Sequence, residues 1–496
     1  MSYICPQDLN VKAKEVFADL NNKQDSLKAK ERMQIPLQEM PVLEPKQRGT
    51  NQEEVAIGFT KEQAMVEAMR CIQCKNKPCI KGCPVGLKIP DFICKIAEGD
   101  FQAAADIIQQ DSLLPAICGR VCPQENQCQL YCTVGKSLKD IDKAVGIGRL
   151  ERFVADWQRK NKTAVIPTIA KETGKKIAVI GSGPAGLVVS ADCRRAGHDV
   201  TLFEAFHKLG GVMRYGIPEF RLPNDIVDYE IANLDKMGVK IVKNFVVGKT
   251  RTIEQLKSID GFDAIFIGTG AGLPIFMGIE GENLIGVFAA NEYLTRANLM
   301  RAYDTEHADT PMFKSKKVAV LGGGNVAMDA SRMALRLGAE EVNVIYRRTI
   351  AEMPARKEEV AHAQEEGVNF LELQNVKRIL GDKDSKVRAL EIVCYELGEP
   401  DNSGRRRPVE IKNSEFEIEM DTVIVAIGNG SNPLVTQTTP KLKTDKRGNV
   451  IVDEAGATSI EGVFAGGDIV LGAATVILAM GEGRKAAKAI NKYLKN

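Results

Sequence analysis

Nine of the twelve cysteines in this 496-residue chain lie between positions 71 and 132, with the spacing of iron–sulfur ligands. They include two runs, each containing a Cys-Pro pair: Cys71-x2-Cys74-x4-Cys79-x3-Cys83-Pro84 and Cys118-x3-Cys122-Pro123-x4-Cys128-x3-Cys132. Thiolates hold iron–sulfur clusters, and in two-cluster ferredoxins the last cysteine of such a run binds the other cluster. The pattern therefore predicts an electron carrier.

Structural zinc is the main alternative, because Cys-x2-Cys pairs also bind zinc. Two four-cysteine zinc sites would use more regular pairing than these runs show. Disulfides are not expected, since residues 1–10 have neither the basic nor the apolar stretch of an export signal. Outside the runs, Cys5, Cys193 and Cys394 are interpreted as buried thiols without a role.

After residue 175 the sequence changes to a strand, a Gly-x-Gly-x-x-Gly turn, a helix, a second strand and an acid. These are residues 176–180, Gly181-Ser182-Gly183-Pro184-Ala185-Gly186, residues 187–196, residues 199–203 and Glu204. In this context the motif strongly predicts a dinucleotide site, because the glycines let pyrophosphate approach the backbone and the helix N-terminus attracts it. Glu204 is expected to accept hydrogen bonds from the adenosine ribose.

The same unit recurs with one instructive difference. A strand at 317–321 leads into the turn Gly322-Gly323-Gly324-Asn325-Val326-Ala327, a helix and a strand at 341–345, followed by Arg347 and Arg348 in place of an acid. An acid at this position would repel a 2′-phosphate, whereas an arginine pair offers it charge-assisted bonds. The second unit should therefore prefer NADPH to NADH. In the alternative interpretation, the two arginines only face solvent.

A third glycine-rich element lies near the C-terminus. A strand at 462–465 ends in Gly466-Gly467-Asp468, and Ala474 and Thr475 lie at the start of a helix that runs to residue 494. An acid after paired glycines, followed by helix amides, suits a flavin. The simpler interpretation of Asp468 is an ordinary helix N-cap.

The composition is that of a globular protein, with 44% hydrophobic and 27% charged residues. A net charge of +2 argues against nucleic acid or a membrane surface as the main partner. No apolar run approaches the ~20 residues that span a bilayer. Oxygen-sensitive clusters without an export signal predict a cytoplasmic protein.

The changes in pattern along the chain predict five segments. They are an N-terminal arm (1–58), a helical iron–sulfur domain (59–170), the first part of an FAD domain (171–305), an inserted NADP(H) domain (306–428) and the second part of the FAD domain (429–496). The arm is predicted to hold a short helix near residues 11–20 and then an extended stretch. It would be either a partly disordered tail or a docking arm for a partner.

Together these motifs resemble the small subunit of bacterial glutamate synthase and its relatives. That family includes the large subunit of NADH-dependent ferredoxin:NADP oxidoreductase (Nfn) and the electron-entry half of dihydropyrimidine dehydrogenase. The resemblance covers residues 60–496 and includes Gly211-Val-Met-Arg214-Tyr215-Gly216-Ile-Pro218. It implies an α/β protein with a helical double [4Fe-4S] domain, followed by two Rossmann-like domains, the NADPH domain being inserted in the FAD domain. In relatives the stretch with Gly211, Arg214, Tyr215 and Gly216 borders the flavin.

The resemblance also implies an interleaved set of cluster ligands. One cluster would take Cys71, Cys74, Cys79 and Cys132, and the other Cys83, Cys122, Cys128 and a side-chain oxygen. Glu151 matches that oxygen position best, and Glu125 is the second candidate. Cys118 is third, because relatives have this position occupied but unused. Cys94 is expected to pack in the helical core.

The implied activity is hydride exchange between NADPH and FAD, with single electrons passing through two [4Fe-4S] clusters to a partner subunit in a hetero-oligomer. Hydride transfer needs no acid–base side chain, so no catalytic residue is assigned. The stretches 74–79 and 89–92 look more like Nfn, which implies a bifurcating complex with a ferredoxin–NAD reductase-like or hydrogenase-like partner. The alternative is a glutamate synthase small subunit, which would feed a glutamine amidotransferase large subunit. A scaffold with vestigial sites is disfavoured, because every phosphate and ligand position holds a competent residue.

Overall fold

The N-terminal third of the chain is helical in the computed structural model, and the rest is α/β. Residues 3–310, 312, 314–401 and 404–495 are described. The helices of the first part are α1 (Pro6–Leu20), α2 (Ala29–Gln34), α3 (Pro45–Arg48), α4 (Lys61–Met69), α5 (Pro78–Lys81), α6 (Ile89–Ala97), α7 (Phe101–Asp111), α8 (Pro115–Val121), α9 (Thr133–Ser137) and α10 (Ile147–Asn161). Short 3-10 turns lie at Asn21–Ser26, Gln124–Asn126, Gln129–Tyr131 and Ile141–Lys143.

Local sequence signals explain where the helices around the cysteines begin and how they pack. The Thr60 hydroxyl accepts a bond from the Gln63 amide at 3.3 Å, and the Gln63 side chain accepts one from the Thr60 amide at 3.0 Å. This capping box starts α4 at Lys61, and the helix ends at Met69, two residues before Cys71. The Phe101 ring of α7 meets Phe153 and Trp157 of α10 edge-on, with centroids 5.1 and 5.7 Å apart. These contacts hold α7 and α10 together.

The N-terminal arm is folded against the rest of its own chain. The Val55 amide donates to the Phe220 carbonyl at 2.9 Å. Arg48 has a fully buried side chain, and its Nε lies 3.0 Å from Glu366. The helix predicted near residues 11–20 begins earlier, at Pro6. The described part of the arm therefore ties the helical domain to the second dinucleotide unit and is not a disordered tail. A role in docking a partner stays a prediction.

The remaining elements follow in chain order. Up to residue 274 they are β1 (Lys176–Ile180), α11 (Pro184–Arg195), β2 (Asp199–Phe203), α12 (Val212–Tyr215), α13 (Asn224–Lys236), β3 (Lys240–Val242), α14 (Ile253–Ser258), β4 (Ala264–Ile267) and β5 (Leu273–Pro274). Then come β6 (Val287–Ala289), α15 (Ala290–Asn298), β7 (Lys317–Leu321), α16 (Asn325–Arg336), β8 (Glu341–Tyr346), a 3-10 turn (Ile350–Glu352), α17 (Lys357–Glu365) and β9 (Asn369–Glu372). The chain ends with β10 (Gln374–Gly381), β11 (Val387–Pro400), β12 (Arg406–Glu410), β13 (Phe416–Glu419), β14 (Thr422–Val425), β15 (Asn429–Gly430), α18 (Leu434–Gln437), β16 (Val463–Ala465), α19 (Asp468–Leu471) and α20 (Val476–Tyr493).

Two parallel five-stranded sheets form the α/β part, with the orders β16-β4-β1-β2-β3 and β6-β14-β7-β8-β9. The C-terminal strand β16 pairs with β4, so the second sheet interrupts the first, as predicted. Strand β6 belongs to the second sheet. The second sheet therefore includes residues from 287 onward. The predicted boundary between the FAD and NADP(H) domains at residue 306 lies too late in the sequence. Strand β6 has only three residues, which is too short to give a hydrophobic pattern in the sequence.

An antiparallel unit is inserted between β9 and β14 of the second sheet. Strand β11 pairs with β10 and with β13, and its distal half pairs with β12 as a separate hairpin. The turn of this β11–β12 hairpin includes Asp401, whose carbonyl accepts from the Gly404 amide at 2.9 Å. The hairpin thus extends beyond the three-stranded unit. β5 and β15 form a two-stranded connection between the two dinucleotide units.

Buried ion pairs hold the second dinucleotide unit against the first. Arg221, from the first unit, lies 2.6 Å from Asp329 of α16 and 3.1 Å from Glu359 of α17. Arg332 of α16 lies 2.8 Å from Glu366, which also binds Arg48 of the arm. Paired and hydrogen-bonded charges of this kind fix geometry, because losing one partner leaves a buried charge unpaired.

Candidate functional site

The first glycine turn has the geometry of a pyrophosphate cradle. Gly181 has φ +99°, and a Cβ there would lie 2.4 Å from the Gly268 carbonyl oxygen. Gly186 packs helix α11 onto the turn, since a Cβ there would lie 1.9 Å from the Gly181 oxygen. A Cβ on Gly183, the N-cap of α11, would have no neighbouring heavy atom within 4 Å. The turn is therefore closed toward the protein and open where a pyrophosphate would approach.

The second turn repeats this arrangement. Gly322 has φ +141°, and a Cβ there would lie 2.4 Å from the Ala426 carbonyl oxygen. Gly324, the N-cap of α16, faces open space as Gly183 does. Ala327 occupies the position of the third glycine and is fully buried. The same backbone geometry thus occurs twice, in two separate sheets.

One cavity of about 440 Å³ connects the two turns. From the first unit it is lined by Gly181, Gly183, Pro184, Ala185, Glu204, Gly211, Tyr215, Gly216, Gly467, Asp468, Ala474 and Thr475. From the second unit it is lined by Asn325, Val326 and Asp329. The cavity thus reaches the second turn at Asn325 and Val326. The other predicted NADPH residues do not line it: Gly322, Gly324, Ala327, Arg347 and Arg348. The volume of the cavity is typical of a cofactor site.

The predicted flavin residues differ in what they do around this cavity. The Glu204 carboxylate accepts from the Ser182 amide at 3.0 Å and its hydroxyl at 2.5 Å, which fixes its orientation at the end of β2. Burial raises the pKa of Tyr215 to about 12, and the nearby charges of Asp468 and Glu204 add to the rise. Burial also raises the pKa of Asp468 to about 6. These three side chains therefore surround one space.

Arg214 was predicted to border the flavin, and the structure places its side chain elsewhere. Its guanidinium forms an ion pair with Asp228 of α13 and does not line the cavity. The neighbouring Tyr215 does line it. Consecutive side chains in the short helix α12 point in different directions, so a motif of adjacent residues cannot assign both to one site.

The two arginines after β8 are also unequal. Arg347 is exposed, whereas Arg348 is buried and lies 2.8 Å from Asp401 in the hairpin turn. Arg348 Nε also donates to the Arg406 carbonyl at 2.6 Å. Arg348 therefore does not simply face solvent, and the two arginines do not form one equivalent pair.

Four cysteines from the two runs meet at a small cavity in the helical domain. Cys71, Cys74, Cys79 and Cys132 all line it. Burial raises the pKa of Cys71 and of Cys79 to about 12. These thiols would remain protonated without a metal, and bound iron supplies the positive charge that stabilises the thiolates. The set is the one implied for the first cluster.

Helices α8 and α10 cross very closely and bring the second set together. A Cβ on Gly119 of α8 would lie 2.6 Å from the Arg152 amide nitrogen of α10. A Cβ on Gly148 would lie 1.8 Å from the Gln124 side chain. Gly119 is needed because only a hydrogen side chain fits at such close backbone approach, whereas at Gly148 the Gln124 side chain fills the space that a Cβ would take. The crossing places Glu151 of α10 beside the second cysteine run.

The second set consists of Cys83, Cys122 and Cys128, with Cys118 and Glu151 next to them. Burial raises the pKa of Cys128, and the charges of Cys122, Cys83 and Glu151 raise it further. Burial also raises the pKa of Glu151 to about 8. Glu125 points elsewhere, 3.5 Å from Arg356 Nε in the second dinucleotide unit. Cys118 is fully buried, and its Sγ lies 3.6 Å from the Met480 sulfur.

The cysteines outside these two sets vary in environment. Cys193 is buried as predicted, and burial raises its pKa. Cys5 and Cys394 are partly exposed, so the prediction of buried thiols is wrong for them. Cys94 is also partly exposed, and its thiol donates to Glu98 at 3.2 Å instead of packing in the helical core. It lies on the polar side of α6.

Several cavity residues were missed by the sequence patterns. Residues 268–272 follow β4 and line the cavity, beginning beside the first turn at Gly268. The signal was present as Gly268-Thr269-Gly270-Ala271-Gly272 directly after an apolar strand. Asp329 and Arg221 were also missed, and no motif could have found them, because they meet only through the contact between the two units.

Comparison with known families assigns both halves of the chain. Residues 48–163 match the family described as dihydropyrimidine dehydrogenase domain II, 4Fe-4S cluster. Residues 175–487 match the family described as pyridine nucleotide-disulphide oxidoreductase. The chain belongs to the pyridine nucleotide-disulphide oxidoreductases. Because the helical domain of this oxidoreductase matches a 4Fe-4S family, the predicted iron–sulfur clusters are confirmed in place of zinc. Which cysteines bind each cluster stays a prediction.

Curated relatives match this oxidoreductase over most of its length. The oxidoreductase is 36% identical to the glutamate synthase [NADPH] small chain of Halomonas elongata over 88% of its own length and 92% of the relative's. It is 39% identical to the NADP(+)-dependent formate dehydrogenase subunit beta of Moorella thermoacetica over 84% of its length, which spans 60% of that protein. The family resemblance predicted from the motifs is confirmed.

Solved structures support the fold. FprA from Mycobacterium tuberculosis in complex with NADPH aligns with a TM-score of 0.54 over 65% of this oxidoreductase and 85% of FprA, at 19% identity. The predicted architecture, a helical iron–sulfur domain followed by Rossmann-type domains, is confirmed. The chain is an NADPH-dependent oxidoreductase with FAD and [4Fe-4S] clusters as its cofactors. None of its helices, within the described ranges, has the length and apolarity needed to cross a bilayer.

Proposed function

We propose that this oxidoreductase moves electrons between NADPH and a partner subunit, through FAD on the first turn and two clusters in series. The cavity that joins both turns is the observation that carries the proposal. FAD supplies the step between two-electron and one-electron transfer when it is bound. The protein positions the two nucleotides and keeps the reacting space enclosed.

The order of the clusters is proposed from what surrounds each of them. Val121 and Pro123, on either side of Cys122, line the flavin cavity. Gln127, next to Cys128, has its side-chain nitrogen 3.4 Å from Thr475 at the start of α20. The cluster on Cys83, Cys122 and Cys128 would therefore accept electrons from the flavin first.

The cluster on Cys71, Cys74, Cys79 and Cys132 would be the exit to the partner. Exposed apolar and basic side chains are close in sequence to these cysteines: Leu130, Tyr131, Leu138, Lys75, Lys81, Lys136 and Lys139. The Lys136 ammonium lies 5.2 Å from the centre of the Tyr131 ring. Exposed apolar and basic side chains near the exit cluster would suit a partner with an acidic docking surface.

The partner we favour is a flavin–iron–sulfur reductase or hydrogenase, in a complex that couples NADPH, ferredoxin and NAD by electron bifurcation. The proposal rests on the Nfn-like stretches at 74–79 and 89–92. The second candidate is the glutamate synthase large subunit, supported by the 36% identity to small chains over nearly their whole length. Both functions use the same NADPH half-reaction.

Anaerobic purification of the native complex, with mass spectrometry of every co-eluting chain, distinguishes these functions. We expect a flavin–iron–sulfur reductase or hydrogenase subunit in near-equal amount. A co-eluting large chain with an N-terminal amidotransferase nucleophile would replace our proposal with the glutamate synthase function. Recovery of this chain alone at every ionic strength would contradict a stable partner subunit.

Glu151 is proposed as the oxygen ligand of the second cluster. Replacing it by alanine should change the EPR spectrum of that cluster, because an oxygen ligand is harder than thiolate and its loss alters the iron site. Glu125→Ala is the matched control: it removes a carboxylate from the same domain that pairs instead with Arg356. An altered spectrum in Glu125→Ala, with none in Glu151→Ala, would reverse the assignment. If neither variant changes the spectrum, Cys118 is the remaining candidate.

A further inference from the structure

Residues 218–222 lie at the contact between the two dinucleotide units. The Arg221 amide donates to the Pro218 carbonyl at 2.9 Å, which closes a turn. On one side of Arg221, Phe220 packs in the hydrophobic core of the second unit. On the other side, Leu222 packs in the core that the first unit shares with the helical domain. Both flanking side chains are fully buried, so the backbone of Arg221 is fixed relative to both units.

The Arg221 side chain continues this contact into the second unit. Its Nη1 donates to the two carboxylate oxygens of Asp329 in α16, at 2.7 and 2.6 Å. Its Nε lies 3.1 Å from Glu359 in α17, and the three side chains are no more than 7% exposed. Burial alone would lower the pKa of Arg221, but the charges of Asp329 and Glu359 raise it above its ordinary value. The guanidinium therefore stays charged and holds both helices.

Arg221 and Asp329 also line the cavity that reaches the two glycine turns. Asp329 lies four residues after Asn325, the first residue of α16, and therefore on the same face of that helix. Asn325 lines the cavity as well. In the first unit, Arg221 follows Gly216 and Ile217, which line the same cavity. The ion pair thus joins the two units at the wall of the proposed reacting space.

Neutral hydrogen bonds cross the same contact. Both come from α15, which follows β6 of the second sheet. Asn291 Nδ2 donates to the Gly272 carbonyl at 2.7 Å, and Asn298 Nδ2 donates to the Tyr215 carbonyl at 3.2 Å. Hydrogen bonds between charged groups are roughly twice as strong as neutral ones. The buried ion pair is therefore the strongest of these contacts.

We propose that Arg221 and Asp329 are positioning residues for hydride transfer: their ion pair sets the distance and angle between the nicotinamide held by the second unit and the flavin held by the first. The inference rests on the proposed function, which places FAD and NADPH on the two turns. Hydride transfer needs the reacting atoms about 3–3.5 Å apart, and a displacement of about 1 Å costs roughly 100-fold in rate. The β5–β15 connection pairs two residues of each strand, so the orientation of the units depends on side-chain contacts of this kind.

Anaerobic stopped-flow reduction of the fully loaded protein by NADPH tests this role. Asp329→Asn should lower the limiting rate of flavin reduction about 10- to 100-fold, because the neutral amide holds the guanidinium less firmly. The dissociation constant of NADPH from the same traces, and that of 2′,5′-ADP by calorimetry, should stay within about threefold of the wild type. Deuterium at the transferred position should slow the variant at least as much as the wild type, because hydride transfer is the impaired step.

The variants Arg221→Gln and Arg221→Gln/Asp329→Asn separate positioning from direct binding. If the two side chains act through each other, the double variant should be no slower than the slower single variant. Losses that multiply would show that each side chain contacts the nucleotide or the flavin separately, and would overturn the proposal. A limiting rate within about twofold of the wild type in Asp329→Asn would also overturn it.

Glu366→Gln is the matched control for the loss of a buried carboxylate. Glu366 is fully buried and lies 2.8 Å from Arg332 and 2.7 Å from Arg336, and it does not line the cavity. Its replacement should lower the unfolding temperature as Asp329→Asn does, but leave the limiting rate within about twofold of the wild type.

An equal loss of rate in Glu366→Gln and Asp329→Asn would show general destabilisation and would overturn the positioning role. If NADPH fails to reduce the flavin of the wild type, the proposed function itself fails. If NADPH reduces the wild type but the variants depart from the pattern above, only the positioning inference fails.

Discussion

Cys79→Ala should lose about half of the bound iron and nearly all electron delivery to a protein acceptor, while its flavin remains reducible by NADPH. Cys79 lies in the set around the first cluster cavity, with Cys71, Cys74 and Cys132. In the proposed order this cluster is the last carrier, so its loss interrupts transfer after the flavin and the second cluster. Reduction of a purified bacterial ferredoxin should fall at least about 100-fold, and reduction of ferricyanide should change less than about twofold.

Cys94→Ala is the control for this variant. Cys94 lies in the same domain and is partly exposed, but it belongs to neither ligand set. Its replacement should leave the iron content and both activities unchanged. Unchanged iron in Cys79→Ala would require a different set of ligands, and loss of ferricyanide reduction as well would contradict the proposed order of the clusters.

The two glycine turns allow the same substitution to be made in each nucleotide site separately. Gly181→Ala should weaken FAD binding at least about 100-fold, and Gly322→Ala should do the same to NADPH, because each combines left-handed strain with a clash. In both turns the added Cβ would lie 2.4 Å from a carbonyl oxygen of the neighbouring strand end. The flavin content of the purified protein and the KM for NADPH measure the two losses.

Gly338→Ala controls for backbone strain alone. Gly338 has φ +94°, but a Cβ there would meet nothing within 4 Å. This variant should lose about 1 kcal/mol of stability and no cofactor. Gly181→Ala should keep its affinity for 2′,5′-ADP, and Gly322→Ala should keep its FAD. Loss of FAD in Gly322→Ala, with normal NADPH affinity, would exchange the two assignments.

The sequence predicts most of the fold, because the strongest signals are local. The Thr-x-x-Gln pattern of Thr60 and Gln63 forms the capping box that starts α4. The strand before Gly181 has the predicted bounds, and the recurrence of the same turn at Gly322 correctly indicates a second unit. Each of these signals rests on hydrogen bonds or turn geometry within a few residues, so tertiary contacts do not override them.

The unpredicted features depend on contacts between distant segments. Strand β6 is placed by its pairing with β14 far along the chain. Arg214 follows the motif in sequence, but Asp228 on another helix sets its direction. Arg348 matches the predicted phosphate position, yet a hairpin turn more than fifty residues later occupies its guanidinium. In each case a partner distant in sequence determines the role.

Rapid mixing of NADPH with the fully loaded protein under anaerobic conditions, followed by freeze-quench EPR and absorption, tests the central claim most directly. The account predicts that the flavin is reduced first, the cluster on Cys83, Cys122 and Cys128 next, and the cluster on Cys71, Cys74, Cys79 and Cys132 last. Cys79→Ala should show the first two steps only. The contrary result is a fully reduced flavin with both clusters still oxidised at every ratio of NADPH to NADP⁺. That result would contradict electron transfer through the clusters.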